Sequence, residues 1–200
     1  IIVVSVILVK VCKNKEDFDS IDTQVNNIRS LNDIPDRPEY INTIPDNFFR
    51  GTGLTSITIP RNITTIGAEA FRSCRNLASI TFQDDSALQS IGERAFMDCR
   101  VLNTIIIPGN VTSISSRAFL ECHSLNNVTF INSDSLTKIS DNVFYDCNRL
   151  KCINIPNSVT SIGIGAFARC SELEEIQLPE SLITINRSAF DQCIELKSII

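Results

Sequence analysis

The sequence has no tryptophan, two tyrosines, one methionine and one histidine in 200 residues. So few large aromatics exclude a core organised around indole or phenol rings, and the single histidine, His123, excludes any site that needs several imidazoles. Basic residues number 18 against 23 acidic ones, for a net charge of −5. That balance argues against nucleic acid as a partner, since its binding depends on a concentrated basic face. The apolar run from Ile1 to Val9 stops at Lys10, far short of the ~20 residues that cross a bilayer, and no membrane insertion by the repeat array is expected. No C-x2-C pair is present among the cysteines, which removes the usual zinc arrangements. A glycine-rich phosphate loop, a Ser-His-Asp set and a clustered carboxylate pair are missing too. No catalytic residue, cofactor-binding residue or metal ligand is therefore assigned, and the chain is not expected to be an enzyme.

What is present is aliphatic and periodic. Apolar residues make up 43% of the chain, enough for one domain with a continuous core. A Phe preceded by Ala, or once by Val, recurs at Phe71, Phe96, Phe119, Phe144, Phe167 and Phe190, with spacings of 25, 23, 25, 23 and 23 residues. Three residues after each stands a cysteine: Cys74, Cys99, Cys122, Cys147, Cys170 and Cys193. Three further on comes a leucine, from Leu77 through Leu196, and each leucine opens an L-x-x-[IV]-x-[ILF] segment such as Leu173-Glu-Glu-Ile-Gln-Leu178. Alternation of that kind predicts a half-buried strand. Pro60, Pro108, Pro156 or Pro179 ends the strand in four repeats, because proline cannot donate to a ladder. The two 25-residue repeats have Gln83 or Ile131 there instead, then two extra residues, with Asp84, Asp85 and Asp134 in the lengthened turn.

A second apolar pair follows, as in Ile63-Thr-Thr-Ile66, and then Gly67, Gly92, Ser115, Ser140, Gly163 or Asn186. Each is a residue type that caps a helix start, so the A-F-x-x-C segment is expected to form a short helical turn. One strand, one turn, one short extended piece and one helical turn cannot bury an apolar face alone, and neighbours must stack. The expected fold is an α/β solenoid of 23- and 25-residue repeats, with a parallel strand ladder and short helical turns. It spans residues 41–200 in about six to seven repeats, beginning with a weaker copy at Ile41-Asn-Thr-Ile44 and Phe48-Phe49. Residues 1–40 are expected to form a cap or degenerate repeats. The segment Ile1–Val9 reads as a capping strand, or alternatively as the tail of a signal-peptide core. Because Leu196-Lys-Ser-Ile-Ile200 stops inside a strand without a polar cap, the array is expected to be cut from a longer one.

The string Ile57-Thr-Ile-Pro-Arg-Asn-Ile-Thr-Thr-Ile-Gly-Ala-Glu-Ala-Phe-Arg-Ser-Cys74, with Leu77, closely resembles the BspA-like leucine-rich repeats, also described as the Treponema pallidum type. The resemblance covers about residues 41–200. It implies a surface or secreted protein of the kind found in bacteria and anaerobic protists, several of which are implicated in adhesion to host matrix proteins or cells. It supplies no catalytic motif, no cofactor and no fixed binding residues.

Several features remain as candidates. The six registered cysteines should form a ladder of small, buried, reduced thiols, since stacked coils project their Cβ bonds side by side and fit disulfide torsion poorly. Cys152 falls on the open face of its strand and is expected to be exposed. His123 follows a ladder cysteine at a position that elsewhere holds Arg75, Arg100, Asn148, Ser171 or Ile194, so it reads as a solvated residue. The arginines gather around the A-F-x-x-C turns among acidic residues, the mark of a solvated face. The outward strand positions are the candidate protein-binding face, centred on Thr104, Ile106, Asn127, Thr129 and Asn154. Ile106 stands where other repeats hold Thr, Asn or Gln, as an anchor for a contact or as a strand-former. Sequons at Asn62 and Asn110 lie in the same turn two repeats apart and are candidate glycosylation sites of an exported protein; Asn127 and Asn186 begin two more. The sequence-level reading is a non-catalytic protein-binding module, at the cell surface or secreted, whose partner is a host matrix or cell-surface protein. An intracellular, cytoplasmic interaction scaffold is the alternative, consistent with free thiols.

Overall fold

Each alternating segment becomes a strand whose inward residues are aliphatic, and each proline or lengthened turn ends it. The computed structural model describes residues 42–199. The expected cap over residues 1–40, both readings of Ile1–Val9, and Ile41 and Ile200 lie outside the described residues. Fourteen strands run through the rest. The first seven are β1 (Thr43–Ile44), β2 (Ser56–Ile59), β3 (Thr65–Ile66), β4 (Ser79–Phe82), β5 (Ser90–Ile91), β6 (Thr104–Ile107) and β7 (Ser113–Ile114). The others are β8 (Asn127–Phe130), β9 (Lys138–Ile139), β10 (Cys152–Asn154), β11 (Ser161–Ile162), β12 (Glu175–Gln177), β13 (Thr184–Ile185) and β14 (Ser198–Ile199).

The even-numbered strands form one seven-stranded parallel sheet in the order β14-β12-β10-β8-β6-β4-β2, so the chain is a parallel β-solenoid of about seven coils. Inward residues register from coil to coil, with Ile57 opposite Ile80 and Ile105 opposite Val128. The short odd-numbered strands make a second side, β1-β3-β5-β7 and then β9-β11-β13. This ladder breaks between β7 and β9, where the Ser140 hydroxyl donates to the Ile114 carbonyl.

Between the two sides runs a column of rings. Phe49, Phe71, Phe96, Phe119, Phe144, Phe167 and Phe190 stack with centroids 5.0–5.5 Å apart and planes within 17°. The first six rings are fully buried. Beside them lies the thiol ladder. Cys74 donates to the Phe49 carbonyl at 2.9 Å, Cys99 to Phe71 at 3.2 Å and Cys122 to Phe96 at 3.1 Å. Cys147, Cys170 and Cys193 continue the series onto Phe119, Phe144 and Phe167. Each thiol thus ties its own coil to the phenylalanine backbone of the coil before. In the first coil Thr52 takes the cysteine slot and its hydroxyl donates to the Phe49 carbonyl at 2.8 Å.

The expected short helical turns do not form. The A-F-x-x-C segments are successive tight turns, and the reason lies in where their amides find partners. In the coil around Phe71, the N–H groups of Arg72 and Cys74 bond three residues back, to the carbonyls of Glu69 and Phe71. The alternate amides of Glu69, Phe71 and Ser73 bond forward, to Glu93, Ala95 and Met97 of the next coil at 2.7–2.8 Å. A helix would send every amide four residues back within one segment, but coil stacking offers half of them a better acceptor next door. The backbone accommodates this by entering the left-handed region twice per coil, four residues apart: Glu69 and Ser73, Arg94 and Asp98, Arg117 and Glu121, Asn142 and Asp146. Glycine at the start of these segments answers crowding. A Cβ on Gly92 would sit 2.6 Å from the backbone N of Ala68 and the carbonyl C of Gly67.

Candidate protein-binding face

The alternation that buries Ile, Val and Phe necessarily turns the intervening side chains outward. Register lines them up in two rows across the long sheet. One row contains Ser79, Thr104, Asn127, Cys152 and Glu175, and the other joins Thr58 with Thr81, Ile106 with Thr129, and Asn154 with Gln177. The five residues singled out in the sequence, Thr104, Ile106, Asn127, Thr129 and Asn154, are all exposed. Thr104 lies opposite Asn127, and Ile106 opposite Thr129. Ile106 is 52% exposed and Cys152 is also exposed.

One feature of this face was not visible in the pattern of single residues. The ladder between β4 and β6 consists of one pair, Ser79 with Thr104, against four pairs for β2 with β4 and for β6 with β8. Past that pair, a groove of about 770 Å³ opens between the two 25-residue coils. Phe82, Asp84 and Asp85 form one wall, Ile131 and Asp134 the other, and Ile106 and the Pro108-Gly109-Asn110 turn of the intervening shorter coil line its base. The walls are pinned at their feet by the following coils: Asn110 Nδ2 donates to the Ser86 carbonyl at 2.8 Å, and Ser158 Oγ to the carbonyls of Ser133 and Leu136 at 2.8 and 2.7 Å. A sequence signal for the groove existed in the 25-23-25 alternation of repeat length, which places two long turns around a short one.

The turn side of the solenoid has a different chemistry. Glu69 pairs with Arg50 at 2.7 Å, Arg72 at 3.0 Å and Arg94 at 3.6 Å, and Arg94 and Arg117 share Glu93. Asp98 is buried and accepts from Ser73, Arg75 and Arg100, the last at 2.6 Å. Burial pushes its carboxyl up, but the hydrogen bonds from Arg100, Arg75 and Ser73 and the charge of Arg100 outweigh that and hold it below the usual carboxylate range. The expected solvated face is therefore an ion-pair ladder linking successive coils. His123 lies on the same side, its Nε2 3.2 Å from Asp146 Oδ2.

All seven cysteines of residues 42–199 are free thiols. Burial raises the ladder thiols, to about 11 at Cys74, where Thr52 partly counters it, and to about 11 at Cys193. The four between them are raised as well, by burial above all. Such thiols are poor nucleophiles and poor metal ligands. Among the described residues no group of three or more His, Cys, Asp or Glu is placed to hold a metal ion. No helix among them is long and apolar enough to cross a membrane. Asn62 and Asn110 are both exposed at the same turn, although the Asn110 amide is engaged with Ser86.

Comparisons with known proteins fit this architecture. The family model for the BspA type leucine rich repeat region matches residues 42–136 and 89–200, with six copies. Among solved structures, a leucine-rich cell surface protein from Faecalibacterium prausnitzii is 31% identical, with a TM-score of 0.60 over 81% of this chain and 52% of its own. A leucine-rich repeat protein from Bacteroides ovatus is 28% identical, with a TM-score of 0.65 over 82% of this chain and 47% of its own. The T. pallidum leucine-rich repeat protein is 25% identical, with a TM-score of 0.51 over 82% of this chain and 76% of its own. The chain thus spans about half the length of the first two. No curated protein matches it. Matching repeats cover the whole described solenoid, and the chain belongs to the BspA-type leucine-rich repeat family.

Proposed function

We propose that this chain is a non-catalytic, adhesin-like binding module of a cell-surface or secreted protein, holding host matrix or cell-surface proteins along the outward face of its long sheet. The observation that carries the reading is the registered row Ser79, Thr104, Asn127, Cys152 and Glu175, which crosses five stacked coils, with Ile106 as an exposed apolar point beside it. Leucine-rich repeat proteins generally mediate protein interactions, and a similar solved structure is a cell surface protein. An extended face gathers affinity over several coils, which suits a large protein partner. In an exported protein, the exposed Asn62 would be the glycan acceptor at the edge of this face.

The test is binding of the chain to a panel of purified extracellular-matrix proteins and to host cells, with Ile106→Arg/Thr129→Arg as the variant. Both positions are exposed, so the variant should melt with the parent and bind at least ~tenfold more weakly. Unchanged binding by the folded variant would move the site off the sheet. An intracellular scaffold is the second reading, favoured by the free-thiol ladder. Binding confined to intracellular proteins would select it.

A further inference from the structure

We propose that the groove between the two lengthened turns is a specificity pocket for a basic segment of the partner protein, one that carries an aliphatic side chain flanked by Lys or Arg. The inference rests on the binding-module reading and names the chemistry that the module would select. Three observations converge on it.

First, the groove has an apolar interior with polar edges. Ile106 and Ile131 are 52% and 45% exposed there, beside Phe82 and Pro108. At about 770 Å³ it falls within the ~300–1,000 Å³ of ordinary binding pockets, room for a few residues and not for a folded domain. Second, its charge has one sign. Asp84, Asp85 and Asp134 line it with no Lys or Arg among the lining residues. None of the three makes an ion pair among the described residues. This differs from the turn side, where carboxylates are matched by arginines, and leaves these exposed carboxylates open to cations from a partner. The acidic groups are spread over both walls and do not form a metal site. Third, the groove is built in advance. Asn110 and Ser158 pin the two walls. Gly109 lets the Ile131–Asn132 backbone pass over it, since a Cβ there would meet the Ile131 carbonyl oxygen at 2.7 Å. Preformed walls cut the ordering cost of binding. Past Ser79 and Thr104 the β4–β6 ladder is not continued, and the groove opens there toward the two long turns.

The probe is the pentapeptide Arg-Leu-Lys-Ile-Arg with blocked ends. Pentalysine tests charge alone, and Glu-Leu-Glu-Ile-Glu tests apolarity with the wrong charge. Titrated into the isotope-labelled chain, the basic-apolar peptide should shift the amide signals of Thr81, Ile106, Asn110 and Ile131. It should bind at least about tenfold more tightly than either control, more weakly as salt rises. The variant Asp84→Asn/Asp85→Asn/Asp134→Asn keeps side-chain shape, and asparagine suits the left-handed backbone of Asp85. It should melt with the parent and lose at least about tenfold in peptide affinity. Ile106→Arg should do the same by filling the groove with a like charge to the peptide. Equal binding of pentalysine, signal shifts confined to other faces, no binding at millimolar peptide, or unchanged affinity of the triple variant would each overturn the proposal. Loss of the peptide result with sheet-dependent matrix binding intact would overturn the groove alone. Loss of both would overturn the binding module as well.

Discussion

Phe119→Ala is the perturbation that weighs the ring column most directly. The Phe119 ring is fully buried, stacked on Phe96 at 5.2 Å and on Phe144 at 5.5 Å with planes about 10° apart. Truncating a buried phenylalanine costs about 3–5 kcal/mol, from lost transfer energy and the cavity left behind. A value near the upper end is expected, because the rigid coils on either side are hydrogen-bonded to each other and cannot collapse into the gap. Phe190 is the internal control. It is only partly buried and, among the described residues, stacks on one ring, Phe167, so Phe190→Ala should cost about half as much. At about 2–4 °C per kcal/mol for a chain of this size, the central variant should melt roughly 6–20 °C below the parent. The assay is thermal and urea unfolding of both variants beside the parent. In a stacked array the loss at Phe119 also weakens the coupling between its neighbours, so its transition should broaden while that of Phe190→Ala should not. Equal losses at the two positions, or a Phe119→Ala melting point indistinguishable from the parent, would refute the stacked column as a source of stability.

Two further predictions address the thiols and the buried carboxylate. In the folded protein Cys152 should be alkylated first and the half-buried Cys193 next, with Cys99, Cys122, Cys147 and Cys170 protected until the coils unfold; mass spectrometry showing ladder disulfides in the native protein would contradict this. Asp98→Asn should destabilise the chain by about 1–2 kcal/mol at neutral pH. Because the folded carboxyl lies below its unfolded value, its contribution is complete above about pH 4 and is lost as pH falls through the folded value. The variant's stability should therefore fall less steeply on acidification, and a parallel acid limb in parent and variant would remove Asp98 from the account.

The fold was largely legible in the sequence because its signals were repeated in register. Six Phe, six Cys and six Leu at fixed offsets located the ring column, the thiol ladder and the strands, and the L-x-x-[IV]-x-[ILF] alternation located the outward face down to Ile106 and Cys152. The turns were misread as helical because Gly67, Ser115 and their equivalents are helix-capping residue types. Composition does not reveal that Glu69, Phe71 and Ser73 bond to a neighbouring coil, nor that Glu69 and Ser73 adopt positive φ. The groove was hidden for a related reason. It depends on the single-pair contact of β4 with β6 and on the height of two separated turns, both properties of the stack and not of any one repeat.

The outward sheet face as the contact surface is tested most directly with Cys152, an exposed thiol on that face. A photo-crosslinker attached there should capture a matrix protein identified by the binding panel. The same reagent on Arg117→Cys, introduced on the ion-paired turn side into a Cys152→Ser background, should capture little. Crosslinking from position 117 with none from Cys152 would contradict the account and place the partner on the turn side.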